Sequence, residues 1–311
     1  MPVAFDLYDE LTQRMDKILE PRYRAMYFEN GDLIPTMADL EPGVKELAYP
    51  RMEEIGDAAI MGDAASDIPM IQITGDIDRY PIYMIMSAFP VTFQESRMLS
   101  RSQIDSFQRR MTAARRAIAQ YTNKVTALGL TTLNFPGALT NSLITTDNSA
   151  VNIYTSDYQT VLDFFVSIIR SLTDNYVTST PTDMVVNVDV CSRLISLENA
   201  QGTRNVKERL EEIFPELLIT ETKEMEAAQI DGSGITRPGT GKDRIFLFPK
   251  EDMVLNRHIE ATVAALAPEE YVRTATIKGQ LARVYPMFSC VSPAIFDYPD
   301  DCRYIDIPAK S

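Results

Sequence analysis

The most regular pattern of apolar residues in the sequence lies between residues 94 and 128. Apolar side chains recur there at alternating steps of three and four residues: Ile104, Phe107, Met111, Ala114, Ile118, Tyr121, Val125 and Leu128. This spacing places them on one face of an α-helix, and Gly129 follows at the position where helices commonly end. We therefore predict one long helix over 94–128, about 50 Å in length at 1.5 Å per residue.

The apolar pattern before and after this helix predicts a mixed α+β protein. Between residues 42 and 90, two β-rich runs flank a turn of small residues, which predicts a long antiparallel hairpin. A second helical pattern begins after Thr155 or Ser156 and ends near Leu172. Beyond Pro181, short apolar runs typical of strands alternate with two short helices, near residues 189–197 and 205–214.

The first 41 residues show no pattern long enough to build a core. Short amphipathic pieces are interrupted by Pro21, Gly31 and Pro35, and the segment carries nine acidic and four basic residues. We interpret it as an arm that lies on another surface. The hairpin at 42–90 is also acidic and has few side chains for a local core, so we expect a partner to cover its strand edges.

The chain of 311 residues is acidic overall, with 30 Lys and Arg against 44 Asp and Glu and a net charge of −14. This balance argues against tight, general nucleic-acid binding. One basic strip stands out on the predicted long helix, on the flank away from its apolar face: Arg109, Arg110, Arg115, Arg116 and Lys124. It is either a solvated face with ion pairs or a surface for nucleic acid or a neighbouring subunit.

Candidate chemistry is sparse in this sequence. There is one histidine, His258, and the cysteines at 191, 290 and 302 are too far apart for a paired zinc site. The glycine-rich stretch at 231–243 departs from the phosphate-binding loop, because Thr236 and Asp243 occupy positions that the motif gives to glycine and a hydroxyl residue. We therefore predict no enzyme activity, no cofactor and no metal site, and no run is apolar enough to span a membrane.

The order of these elements resembles the HK97-type major capsid proteins of tailed bacteriophages, and most closely their encapsulin-like branch. A strand leads directly into the long helix in SAFPVTFQESRMLSRSQIDSFQRRMTAARRAIAQYTNKVTALG, and the turn LNFPGALTN follows it. PTDMVVNVDVCSRLIS is similar to the strand and helix that open the axial domain of the family. RVYPMFSCVSPAIFDYPD is similar to the closing strands. The resemblance covers nearly the whole chain in order.

The resemblance implies an HK97-like fold with four parts: an N-terminal arm (1–41), an extended loop (42–90), a peripheral domain (91–180 and 257–311) that contains the spine helix 94–128, and an axial domain (181–256). It implies a major capsid protein that forms hexamers and pentamers of an icosahedral shell around double-stranded DNA. The implied location is the virion, after assembly in the host cytoplasm. The tip of the extended loop supplies candidate inter-subunit residues: Met61, Ile68, Met70 and Ile71.

The implied partners are further copies of the chain, portal, scaffolding and decoration proteins, and packaged DNA held by weak, non-specific contacts. No contact with a membrane is implied. Two alternatives stay open from the sequence. One is a bacterial nanocompartment shell with the same fold, and the other is a soluble cytosolic enzyme whose site has no recognisable motif.

Overall fold

The computed structural model describes residues 26–29, 31–41, 43–55, 72–92, 94, 106–133, 136–174, 181–234, 240–250, 255–260, 273–277 and 280–310. The helices in this part of the chain are α1 (Ser106–Leu128), α2 (Tyr158–Asp174), α3 (Val188–Ser196), α4 (Val206–Ile213) and α5 (Ala227–Asp231). The first six strands are β1 (Thr36–Leu40), β2 (Glu46–Ile55), β3 (Gln72–Pro81), β4 (Tyr83–Thr92), β5 (Thr145–Asn148) and β6 (Asp183–Val186). The others are β7 (Leu218–Glu221), β8 (Lys242–Phe248), β9 (Leu255–Glu260), β10 (Arg273–Ile277), β11 (Gln280–Val291), β12 (Ile295–Phe296) and β13 (Arg303–Pro308).

These strands form three sheets. One has six strands, in which β1 pairs in parallel with β9, and β11 pairs in antiparallel fashion with β4, β9 and β10. The second has five strands in the order β5-β13-β8-β6-β7. The third is the two-stranded hairpin β2–β3, which runs in register from the pair Glu46 and Pro81 to the pair Ile55 and Gln72. The α+β class predicted from the sequence is confirmed. The antiparallel hairpin is shorter than predicted, because residues 83–90 belong to β4, which pairs with β11 in the six-stranded sheet.

The long helix ends as the sequence predicts. Helix α1 stops at Leu128, and Gly129 follows with φ of +73°, a left-handed conformation that glycine adopts without strain. Residues 95–105, the first part of the predicted helix, lie outside the described residues. The apolar face of α1 packs on β4 and β11, where Ala114 and Ile118 meet Phe89, Val91 and Met287.

The turn after α1 folds back over the end of the helix. The backbone N–H groups of Ala138 and Leu139 donate to the carbonyls of Thr126 and Ala127, and the Thr140 hydroxyl donates to the carbonyl of Leu128. The last carbonyls of the helix, which have no partner within the helix itself, are thereby satisfied. This close contact depends on Gly137, because a Cβ there would lie 2.3 Å from the backbone nitrogen of Gly129.

The five-stranded sheet is buried on both faces, because successive side chains of a strand point to opposite sides. Met184, Val186, Ile245, Leu247, Ile305 and Ile307 face helices α2 to α4. Val185, Phe246, Phe248 and Tyr304 face the end of α1. The residue that caps helix α2 is Asp157, one residue after the predicted Ser156. Its carbonyl accepts from the N–H of Val161, and its carboxylate accepts from the Thr160 hydroxyl.

The chain between residues 26 and 41 is part of the body. Phe28, Leu33 and Ile34 are buried in the same apolar cluster as the end of α1. Arg257, on β9, donates to the Glu29 carbonyl and to the Thr36 hydroxyl. The last third of the segment that the sequence indicated as an arm is therefore anchored in the core.

Candidate functional site

The hairpin β2–β3 has one apolar face that nothing in the described structure covers. Cross-strand pairing places Pro50 opposite Ile77 and Met52 opposite Gly75, on one side of the hairpin. The side chains on this side are open to solvent: Met52 is 76% exposed, Ile73 67% and Ile77 54%. An apolar sheet face of this kind is costly in a lone soluble subunit and is typical of a surface that a partner covers.

The opposite face of the hairpin lies against the body. Its half-buried side chains include Tyr49, Arg51, Asp78 and Tyr80. Within this face Arg51 forms an ion pair with Asp78 at 3.3 Å, and the rings of Tyr49 and Tyr80 meet edge to face. The Tyr49 hydroxyl reaches the imidazole of His258 on β9. The hairpin thus has one face that contacts its own subunit and one that is available to another molecule.

An apolar groove of about 460 Å³ lies between β4 and α1. Its exposed lining includes Met84 and Met86 from β4, and Tyr121 from α1, each about half exposed. Leu133, just after α1, closes one side, and its carbonyl accepts from the Tyr83 hydroxyl at 2.8 Å. Tyr121 is at an apolar position of the helical pattern, but it opens into this groove instead of the core.

Strand β4 borders this groove. It pairs on one side with β11, and the carbonyl of Pro90 is directed to the other side, where the guanidinium of Arg110 donates to it at 2.5 Å. A proline is suited to that side because it has no N–H to leave without a partner. Arg110 therefore ties the helix to the strand that leads into it.

The basic strip predicted on α1 divides in two in the structure. Arg109, Arg115 and Lys124 are exposed, and none of them forms an ion pair with the described part of the chain. Arg110 and Arg116 are half-buried. The other predicted inter-subunit residues, Met61, Ile68, Met70 and Ile71, lie outside the described residues.

The two acidic residues that bound the glycine-rich stretch 231–243 lie in regular secondary structure. Asp231 ends α5, and Asp243 lies on β8, where it is 5% exposed. Its carboxylate accepts from the Tyr154 hydroxyl at 2.5 Å, from the Asn187 amide at 2.8 Å and from the N–H of Ala227 at 2.8 Å. Asp243 thus joins three elements around β8. From the sequence, Asp243 was noted only as a departure from the phosphate-binding motif, and its structural role was not predicted.

The described residues hold no group of three or more His, Cys, Asp or Glu that could bind a metal ion. None of the helices in this part of the chain combines the length and hydropathy that a membrane span needs. The surfaces described above are therefore the candidates for function.

Residues 56–190 match the family described as "Major capsid protein". This match and the fold make the chain similar to the HK97-like major capsid proteins. Solved capsid structures agree with the chain in fold over nearly its whole length. The capsid of Myoviridae phage XM1 matches with a TM-score of 0.74 and 11% identity, covering 96% of this chain and 97% of the other.

Two further structures illustrate the same likeness. The capsid of a native gene transfer agent particle has a TM-score of 0.66 and 10% identity, and covers 99% of both chains. Mycobacterium phage Adephagia has a TM-score of 0.62 and 8% identity, covering 100% of this capsid protein and 98% of the other chain. No curated protein matches the chain by sequence.

The resemblance and the HK97-like fold stated from the sequence are confirmed, as is the prediction of a major capsid protein. Family and fold indicate a structural protein of the virion rather than an enzyme. The matching capsids of phages and gene transfer agents do not favour the alternative of a nanocompartment shell.

Proposed function

We propose that copies of this capsid protein assemble into the hexamers and pentamers of an icosahedral shell that encloses double-stranded DNA. The observation that carries the proposal is the apolar outer face of the hairpin, where Met52, Ile73 and Ile77 are more than half exposed. Contact between copies removes this surface from water, and each Å² of apolar area buried contributes about 25 cal/mol.

The groove beside β4 is the surface that we assign to this face of a neighbouring copy. Both surfaces are apolar, and β4 and each hairpin strand have the same length of ten residues. Their surroundings are of opposite charge. The segment 42–90 carries eight acidic and three basic residues, whereas 94–128 carries two acidic and seven basic residues. Complementary charge of this kind orients two surfaces as they approach.

Charged substitutions on the two faces of the hairpin test this contact. Met52→Asp and Ile77→Asp each place a charge in the proposed interface, and the cost of burying it should lower the particle yield by about tenfold or more. Thr74→Asp is the matched control, because Thr74 is exposed on the other face of the same hairpin.

The readouts are particle yield by negative-stain imaging and the melting temperature of the subunit. We expect the melting temperature of all three variants to stay near that of the wild type. Normal yield from both Met52→Asp and Ile77→Asp would contradict the proposed contact. Absence of shells hundreds of ångströms across from the wild-type protein would contradict the proposed function itself.

The exposed residues of the basic strip are the part that we assign to packaged DNA. Arg109 and Arg115 contact phosphates weakly and without sequence preference in this proposal, as the acidity of the whole chain requires. The double variant Arg109→Gln/Arg115→Gln should lower the DNA content of purified particles while leaving the subunit's melting temperature unchanged.

The control for the basic strip is Arg204→Gln/Arg209→Gln, which removes the same charge from a different surface. Both of these arginines pair with Glu212 on exposed sites. Equal DNA content in the two double variants would mean that the strip on α1 is a solvated face. The proposal also includes portal, scaffolding and decoration proteins as partners and assembly in the host cytoplasm, and the resemblance to major capsid proteins supports these parts.

A further inference from the structure

The single histidine of the sequence joins three separate strands. His258 lies on β9 and is 5% exposed. Its Nδ1 is 2.6 Å from a carboxylate oxygen of Asp39 on β1, and its Nε2 contacts the hydroxyl of Tyr49 on β2. The N–H of His258 donates to the Ser292 hydroxyl at 2.9 Å, which fixes the backbone beneath the ring. The imidazole is therefore a link between the hairpin and the body.

Charged side chains on three of the elements packed against His258 surround this link. β1 supplies Asp39, the hairpin supplies Arg51 and Asp78, and the segment after β12 supplies Asp297. Burial raises the pKa of Asp297, and the positive charges of Arg51 and His258 oppose that rise. The ionisable groups at this contact are thus three carboxylates and one guanidinium, in addition to the imidazole.

The tyrosine hydroxyls near the imidazole stay protonated near neutral pH. Burial and the nearby carboxylates Asp297 and Asp39 raise the pKa of Tyr49 to about 12. Burial likewise raises the pKa of Tyr80. The Tyr49 hydroxyl therefore donates to a neutral imidazole and accepts from a protonated one, and the contact exists in both states.

We propose that His258 is a pH-sensitive latch that holds the hairpin against the body more firmly when the imidazole is protonated. A protonated ring donates from both nitrogens, and its bond to the Asp39 carboxylate then joins two opposite charges. It also offsets one of the three carboxylates that otherwise repel each other across the contact. Proton uptake by the imidazole is favoured as the pH falls, so the latch is firm at the acid end and weakens as the pH rises.

This inference rests on the proposed function, because the hairpin carries the apolar face that we assign to the contact between copies. The state of the latch sets how freely that face can move relative to the groove on its own subunit. Mildly acidic conditions should hold the hairpin in one orientation, whereas alkaline conditions should allow it to swing.

Hydrogen exchange of the hairpin backbone, corrected for the intrinsic effect of pH, tests the latch on the full chain. Wild-type protection of residues 47–50 should be about fivefold higher at about pH 6 than at about pH 8, the ratio expected when the hydrogen bond to the carboxylate becomes an ion pair. In His258→Gln, which keeps a donor and an acceptor without a charge, this ratio should fall to about one.

The second variant is Asp39→Asn. It keeps the test possible if His258→Gln fails to fold, because the Asp39 side chain is half exposed and its replacement should not disturb the fold. It keeps the acceptor for Nδ1 but removes the charge, so it should also remove most of the pH dependence. The matched control is Asp147→Asn, an acid of similar exposure far from the hairpin, which should keep the wild-type ratio.

Protection that is equal at both pH values in the wild type would overturn the latch, as would a wild-type ratio in both His258→Gln and Asp39→Asn. Particle formation is scored separately by imaging. Normal particles with a pH-independent hairpin would reject the latch alone, whereas a wild type that forms no particles at any pH would reject the proposed function.

Discussion

Arg244 and Asp306 form a two-bond ion pair in the interior of the five-stranded sheet. The guanidinium Nε and Nη2 atoms lie 2.7 and 2.8 Å from the two carboxylate oxygens, and the side chains are 2% and 0% exposed. The two residues face each other across the pair β8–β13. Arg244 also donates to the Leu139 carbonyl and lies 4.4 Å from the centre of the Tyr304 ring. The pair thus connects the sheet to the turn that closes helix α1.

Removing one charge of this pair should destabilise the subunit strongly. Asp306→Asn keeps the shape of the side chain but leaves Arg244 buried without its counter-charge, which typically costs about 3–5 kcal/mol. Thermal or denaturant unfolding measures the change. In the control Asp147→Asn, which breaks the half-exposed pair with Arg303, the loss should be about 0–1 kcal/mol. Losses of similar size in the two variants would contradict this view of the pair.

Adding a methyl group at Gly137 should disturb the end of helix α1. A Cβ at this position would lie 2.4 Å from the carbonyl carbon of Leu128 and 2.6 Å from the carbonyl oxygen of Ala127, both of them backbone atoms. Gly137→Ala should therefore lower the free energy of unfolding by about 1–3 kcal/mol or more. Gly75→Ala is the control, since its Cβ would approach no atom closer than 3.9 Å, and we expect a change within about 0.5 kcal/mol.

The two halves of the N-terminal segment should behave differently when they are altered. Phe28 is 1% exposed in the core, so Phe28→Ala should destabilise the subunit by about 3–5 kcal/mol. Deletion of residues 1–20 should instead lower the particle yield and leave the melting temperature of the subunit nearly unchanged. A normal yield of particles from the deletion variant would show that residues 1–20 do not hold copies together.

Stability should fall in strongly alkaline solution because of buried tyrosines. Burial raises the pKa of Tyr154 and Tyr304 above the usual value near 10, and raises that of Tyr49 to about 12. The unfolded chain releases these protons near pH 10, whereas the folded chain retains them. The stability that is present below about pH 10 is therefore lost as the pH rises toward the folded-state values.

Tyr304→Phe isolates one of these groups. The variant should show a smaller drop in melting temperature between about pH 9 and about pH 11 than the wild type, although it starts lower because the hydroxyl no longer donates to the Ala138 carbonyl. Tyr298→Phe, at a site 52% exposed, should keep the wild-type slope. An unchanged slope in Tyr304→Phe would mean that other groups cause the alkaline loss.

The sequence predicted best the elements whose signal is local. The three-and-four spacing and Gly129 located helix α1 and its end, and the pattern after Pro181 located helices α3 and α4 within a few residues. Cap positions were less certain because several residues near a helix start can accept the same bonds. Thr155, Ser156 and Asp157 are all suitable, and the structure uses Asp157.

Features that depend on distant partners could not be read from the pattern. Phe28 and Leu33 lie among polar residues and breakers, and nothing nearby indicates that they pack against the end of α1 about 100 residues later. Tyr121 has the spacing of a core residue, yet it lines the groove because β4 leaves its position uncovered. His258 has no local signal for its role, because its two side-chain partners are both more than 200 positions away.

The parallel pairing of β1 with β9 has a consequence for the order in which a nascent chain folds. The Arg257 guanidinium and the Thr36 hydroxyl that it contacts are 221 positions apart. At a synthesis rate of about 5–20 residues per second, β9 emerges from the ribosome roughly 10–40 s after β1. During that delay β1 has no strand to pair with, and β4 waits nearly as long for β11. The groove beside β4 is therefore built late in translation, so an incomplete chain on the ribosome presents no finished surface to its neighbours.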